Sequence, residues 1–122
     1  MEAFTRETMP VAMEGDGLEI RLDQAGEMTV GFFRLPAGTD LRPLLQGLEG
    51  DLCQCPHWGF VLRGQLTTTD SKGVRETVDT NDLFYWPPGH NVKVDADAEI
   101  VMFSPQREHS RVIDHMIEKV GG

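Results

Sequence analysis

The stretch "HWGFVLRGQLTTTDSKGVRETVD", His57 to Asp79, decides how this chain is read. Aromatic, β-branched and aliphatic residues alternate with polar ones on either side of "DSKG", Asp70 to Gly73. That is a hairpin turn, with Gly73 where positive φ costs least. Before the turn, "WGFVLRGQLTTT" reads as two strands with a break at Gly64; after it, "VRETVD" reads as one.

The same period of two continues outward in both directions. In "GLEIRLD", Leu18, Ile20 and Leu22 share one face; in "EMTVGFFRLP", Met28, Val30 and Phe32 do so. Downstream come "DLFYW", "NVKVD" and "EIVMFSP". Seven to nine short strands punctuated by turn residues predict an all-β sandwich or barrel. "DLRPLLQGL", Asp40 to Leu48, predicts a loop with a short helix, interrupted by Pro43 and Gly47. At the C-terminus Ser104 suits an N-cap and Pro105 the first helical position. Val112, Ile113, Met116, Ile117 and Val120 then form an apolar stripe, so the helix should pack across the barrel or against a second subunit.

At 122 residues the chain fits a single domain spanning 1–122, with strands over about 18–104 and the helix over about 105–120. Twenty acidic against eleven basic residues give a formal charge of −9. That surface repels phosphate backbones and anionic lipid, and the basic residues are scattered, so nucleic-acid and membrane roles are disfavoured. No signal-like or membrane-spanning apolar run is present, which makes the cytoplasm the default expectation.

The two cysteines stand as Cys53-Gln54-Cys55, followed by Pro56 and His57. On a strand, positions i and i+2 are ~6.5–7 Å apart at Cα, at the limit for a disulfide, so reduced thiols are expected. Asp51, Cys53, Cys55 and His57 would share one face. Two thiols and an imidazole suit Zn, Cu or Fe, but Cys also packs as a small hydrophobe, and the residues alone leave both readings open. "NDLFYWPPGHN", Asn81 to Asn91, ends an aromatic strand in a rigid Pro-Pro-Gly turn that either exposes His90 or aims it inward. His109 could line the apolar stripe and His115 falls on the polar face of that helix; neither is expected to bind a metal. No phosphate loop, nucleophile elbow or zinc-protease motif occurs.

From about Thr29 to Pro105 the sequence resembles the cupin superfamily. Cupins carry G-x5-H-x-H-x3,4-E-x6-G and then G-x5-P-x-G-x2-H-x3-N. "HWGFVLRGQL" is similar to the end of the first motif and "NDLFYWPPGHNVKV" to the second. The resemblance implies a double-stranded β-helix, or jelly-roll, barrel with a C-terminal amphipathic helix, and a homodimer. Anchored on Val61-Leu62-Arg63-Gly64, it places His57 at the family's glutamate, Cys53 at its second histidine and Asp51 at its first. Val92 stands at the last histidine, with His90 two residues earlier. The usual three-His-one-Glu set is therefore absent. A substitute set of Cys53, Cys55, His57 and His90 is implied in its place, favouring Zn, Cu or Fe, with Asp51, Trp58, Tyr85 and Trp86 lining the pocket. Three functions follow: a metal-dependent enzyme acting on a small organic molecule, by a reaction not assigned; a non-catalytic sensor or closed structural zinc site; or a metal-free binding barrel.

Overall fold

The computed structural model describes residues 1–121. Its strands are β1 (Val11–Gly15), β2 (Leu18–Ala25), β3 (Met28–Leu35), β4 (His57–Asp70), β5 (Arg75–Asp79), β6 (Leu83–Trp86) and β7 (His90–Pro105). A short helix α1 (Arg42–Leu45) follows β3, and α2 (Gln106–Gly121) ends the chain. All strand pairs are antiparallel, in the order β1-β2-β3-β7-β4-β5, with β6 also paired to β4. The sheet is not closed by hydrogen bonds. It folds over on itself instead. Ile20 and Phe33 of β2 and β3 share one buried cluster with Leu66, Val78, Phe84 and Trp86 of β4, β5 and β6.

Two long strands replace four short ones. β4 runs unbroken through Gly64, and "NVKVD" and "EIVMFSP" are a single β7. The expected breaks are bulges. The β4–β7 register shifts between Val61 and Leu66, where Gly64 adopts φ +100°. A side chain there would bring Cβ to 2.6 Å from Ala98 Cα, so only glycine permits the approach. Bulges bend a strand without ending it, which lets β4 and β7 serve both halves of the fold.

The core face of β3 is that of Phe33 and Leu35 rather than of Met28, Val30 and Phe32. The opposite face carries Phe32 under the guanidinium of Arg6, 5.1 Å from the ring centroid. β3 is thus covered on both sides, and alternation alone cannot say which face is the core. Ser104 and Pro105 remain in β7, paired with Thr29 and Met28, so they do not cap the helix. The first helical N–H, of Gln106, donates to Glu27 O at 3.0 Å instead. On α2, His109, Val112, Ile113 and Met116 are buried against the barrel interior, while Ile117 and Val120 are exposed. Among the described residues no helix is long and apolar enough to cross a membrane.

Candidate metal centre

His57 opens β4 and His90 opens β7, so each imidazole sits where a loop enters the sheet. An isolated bridge ties the preceding loops together. Cys53 N donates to His90 O at 2.8 Å, and Gly89 N donates to Cys53 O at 2.8 Å. The rigid Pro87-Pro88-Gly89 turn, with Gly89 at φ +91°, thereby delivers His90 inward, and His90 is only 4% exposed.

Cys53 Sγ and one nitrogen from each of His57 and His90 lie within 4.8 Å of one another, all three side chains being buried. Cys53 Sγ is 3.5 Å from His57 Nε2. The S···N edge of a tetrahedral zinc site is about 3.6 Å for Zn–S near 2.3 Å and Zn–N near 2.05 Å. The remaining ring nitrogens are already engaged. His90 Nδ1–H donates to the Pro87 carbonyl at 2.7 Å, and His57 Nδ1 is 2.6 Å from Ser104 Oγ, a buried hydroxyl. The first bond fixes the Nδ1–H tautomer and leaves the Nε2 lone pair of His90 free. The donor set therefore fits a soft or borderline ion such as Zn, Cu or Fe.

Burial dominates the electrostatics. It holds His57 well below the ordinary imidazole value, helped by repulsion from His90 and His109. It lowers His90 as well, against the opposing hydrogen bond to Pro87, and takes His109 down to about 4. Neutral imidazoles are what a metal needs as ligands. Burial also pushes the Cys53 thiol up to about 11, so an ion bound there would have to displace its proton.

The other expected site residues are placed elsewhere. Cys55 is fully buried but lies outside the trio. Its thiol is 3.4 Å from the Pro56 carbonyl, and it packs with Leu45, Val112 and Met116. The extended run expected from Asp51 to His57 does not form: residues 49–51 make a 3₁₀ turn and the strand starts only at His57, so the shared face is lost. Asp51 is exposed, accepts from Gly47 N at 2.9 Å, and lines an outer groove rather than the interior. Trp58 and Tyr85 also miss the interior. They stack on each other on the outer sheet face with centroids 5.3 Å apart, because β4 and β6 present even and odd residues to opposite sides. Trp86, 3% exposed, does line the cavity.

That cavity, about 50 Å³, lies between the sheet and α2 and is walled by Cys53, His57, His90, Trp86 and His109 among aliphatic residues. His109 stands with its ring centroid 5.5 Å from that of His57. Its helical spacing to Val112 and Ile113 is the signal in the sequence for that inward position.

No protein-family model matches the chain, and no curated protein does. Solved structures do. One is an RmlC-like cupin from Shewanella frigidimarina, at TM-score 0.61 and 19% identity over 90% of this chain and 96% of that one. A second is the polyketide cyclase RemF of Streptomyces resistomycificus, at 0.60 and 15% over 87% and 80%. A third is Bacillus subtilis oxalate decarboxylase, at 0.60 and 17%, where 84% of this chain spans 28% of the enzyme. That decarboxylase contains Mn(II) centres. At these identities the likeness is one of fold, and the fold is that of the cupins.

Proposed function

We propose that this cupin-fold protein holds one transition-metal ion, Zn, Cu or Fe, on Cys53 Sγ, His57 Nε2 and His90 Nε2, and binds a small molecule at the position left open. One observation carries the reading: both histidines have Nδ1 beside a neighbouring oxygen, while a thiol and one nitrogen of each ring lie within 4.8 Å of one another. Among the described residues only three donors gather there, which favours an open site over a closed structural one of four ligands.

The chain's own residues do the preparation. Ser104 and the Pro87 carbonyl orient the two imidazoles. The aliphatic walls and α2 exclude bulk water. His109, with a value near 4, stays neutral and lines the cavity rather than acting as a base. A bound ion would supply a Lewis-acid position, or a redox centre if it is Fe or Cu. Cys55 supports the site as packing, not as a ligand. The homodimer belongs with this reading: Trp58, Leu83, Tyr85 and Phe103 are exposed large hydrophobic residues that a second copy would cover. Sedimentation of the protein beside Trp58→Glu tests that arrangement.

The decisive experiment is elemental analysis of untagged protein beside Cys53→Ala, His57→Ala, His90→Ala and Cys55→Ala. About one equivalent of metal per chain is expected, lost in the first three variants and retained in the fourth. A metal-free wild type, unable to take up Zn, Cu or Fe on addition, would leave a metal-free binding barrel.

A further inference from the structure

The indole N–H of Trp86 is an unexplained donor. Among the described residues, Trp86 Nε1 and Asn91 Oδ1 are the buried side-chain polar atoms without a hydrogen-bond partner. A buried N–H left unmade is costly, and Phe in its place would carry no such cost. The ring bearing it forms part of the cavity wall, stacks on Phe84 with centroids 4.0 Å apart, and flanks both candidate ligands, at 6.3 Å from His57 and 5.8 Å from His90. The ring is thus packed beside the trio, and its N–H has no hydrogen-bond partner among the described residues.

Size and charge narrow the occupant. A cavity of about 50 Å³ holds about three to five water-sized groups, far less than the usual pocket for a drug-sized ligand. A divalent ion on one thiolate and two neutral imidazoles would retain a single positive charge, within walls that offer no other. We propose that the open position takes a compact monoanion of about three or four non-hydrogen atoms, a small oxyanion or pseudohalide, which accepts a hydrogen bond from Trp86 Nε1–H. This rests on the metal reading above and specifies its ligand class. Trp86 would then select for an acceptor atom next to the ion, and the walls would select against bulk.

Azide is the probe. The chain has two tryptophans, so a ¹⁵N-labelled sample gives two indole resonances, assigned with Trp58→Phe. Metal uptake is measured first; a protein that takes none fails the metal reading, and this inference falls with it. On the zinc-loaded protein, sodium azide at constant ionic strength should move the Trp86 resonance downfield and saturably while Trp58 stays fixed. Benzoate should produce no such shift, and neither should azide without metal. Trp86→Phe should keep the metal and bind azide about tenfold more weakly. If that variant does not fold, the wild-type titration decides alone. Azide that perturbs the visible spectrum of the cobalt-loaded protein while leaving the Trp86 resonance unmoved would overturn the proposal, as would benzoate binding as tightly as azide.

Discussion

Two cysteines separated by one residue meet opposite fates. Cys53 is stitched by its backbone to His90 and turns its thiol to His57, whereas Cys55 faces α1 and α2 among aliphatic side chains. Their serine variants should separate metal from stability. Cys53→Ser should lose the ion, while Cys55→Ser should keep it and unfold about 1 kcal/mol more easily in urea, since a smaller, more polar hydroxyl replaces a thiol packed on Leu45, Val112 and Met116, its cost offset in part by the Pro56 carbonyl. Ser104 acts one step back from the metal. Ser104→Ala removes the oxygen that orients His57, so metal affinity should fall about 10–100-fold in a chelator competition while one ion per chain still binds at saturation. Unchanged affinity would mean that packing alone orients the ring.

At the scale of elements, the site depends on where β4 and β7 begin and on how they bend. Both first residues are ligand candidates, so any slip in their pairing moves an imidazole. The register is pinned at the Gly64 bulge. Gly64→Ala should cost about 2 kcal/mol or more, through strain at positive φ and collision with Ala98, as read by the urea midpoint. α2 closes the cavity with Val112, Ile113 and Met116. Met116→Ala should destabilise by about 2–4 kcal/mol and enlarge the space beside Cys53, so the variant should admit bulkier anions than the parent.

For the molecule as a whole, a fold that buries uncharged imidazoles is sensitive to acid. His109 has an ordinary value of 6.5 and a folded value of about 4, lowered by burial. Above about pH 6.5 the group is neutral whether folded or not and affects nothing. As pH falls from 6.5 toward 4 the unfolded chain takes the proton first, so stability is lost over that window. The loss reaches (6.5 − 4) × 1.36, about 3 kcal/mol, with His57 and His90 acting in the same direction. Urea midpoints of the metal-free protein at pH 7, 5.5 and 4.5 should fall steadily, and less so in His109→Phe. A flat profile would show that these rings are solvated.

What the sequence determined alone was the all-β class, the Asp70–Gly73 hairpin, the C-terminal helix and the motif pair enclosing Cys53, His57 and His90. Those signals are local: alternation, turn residues and helical spacing act over a few neighbours along the chain. Tertiary structure decided the rest. Whether residues 51–56 extend as a strand depends on the bridge to His90 from a distant loop, and that bridge puts Cys53 in the trio while Cys55 is left packed with Leu45, Val112 and Met116. Trp58 and Tyr85 point outward, and Trp86 inward, because the pairing of β4 with β7 and of β6 with β4 sets which side of each strand faces the core. His109 reaches the cavity only because α2 folds back over the sheet. Each of these outcomes depends on contacts between residues far apart in the chain, and a one-residue change of phase reverses which side chain looks inward.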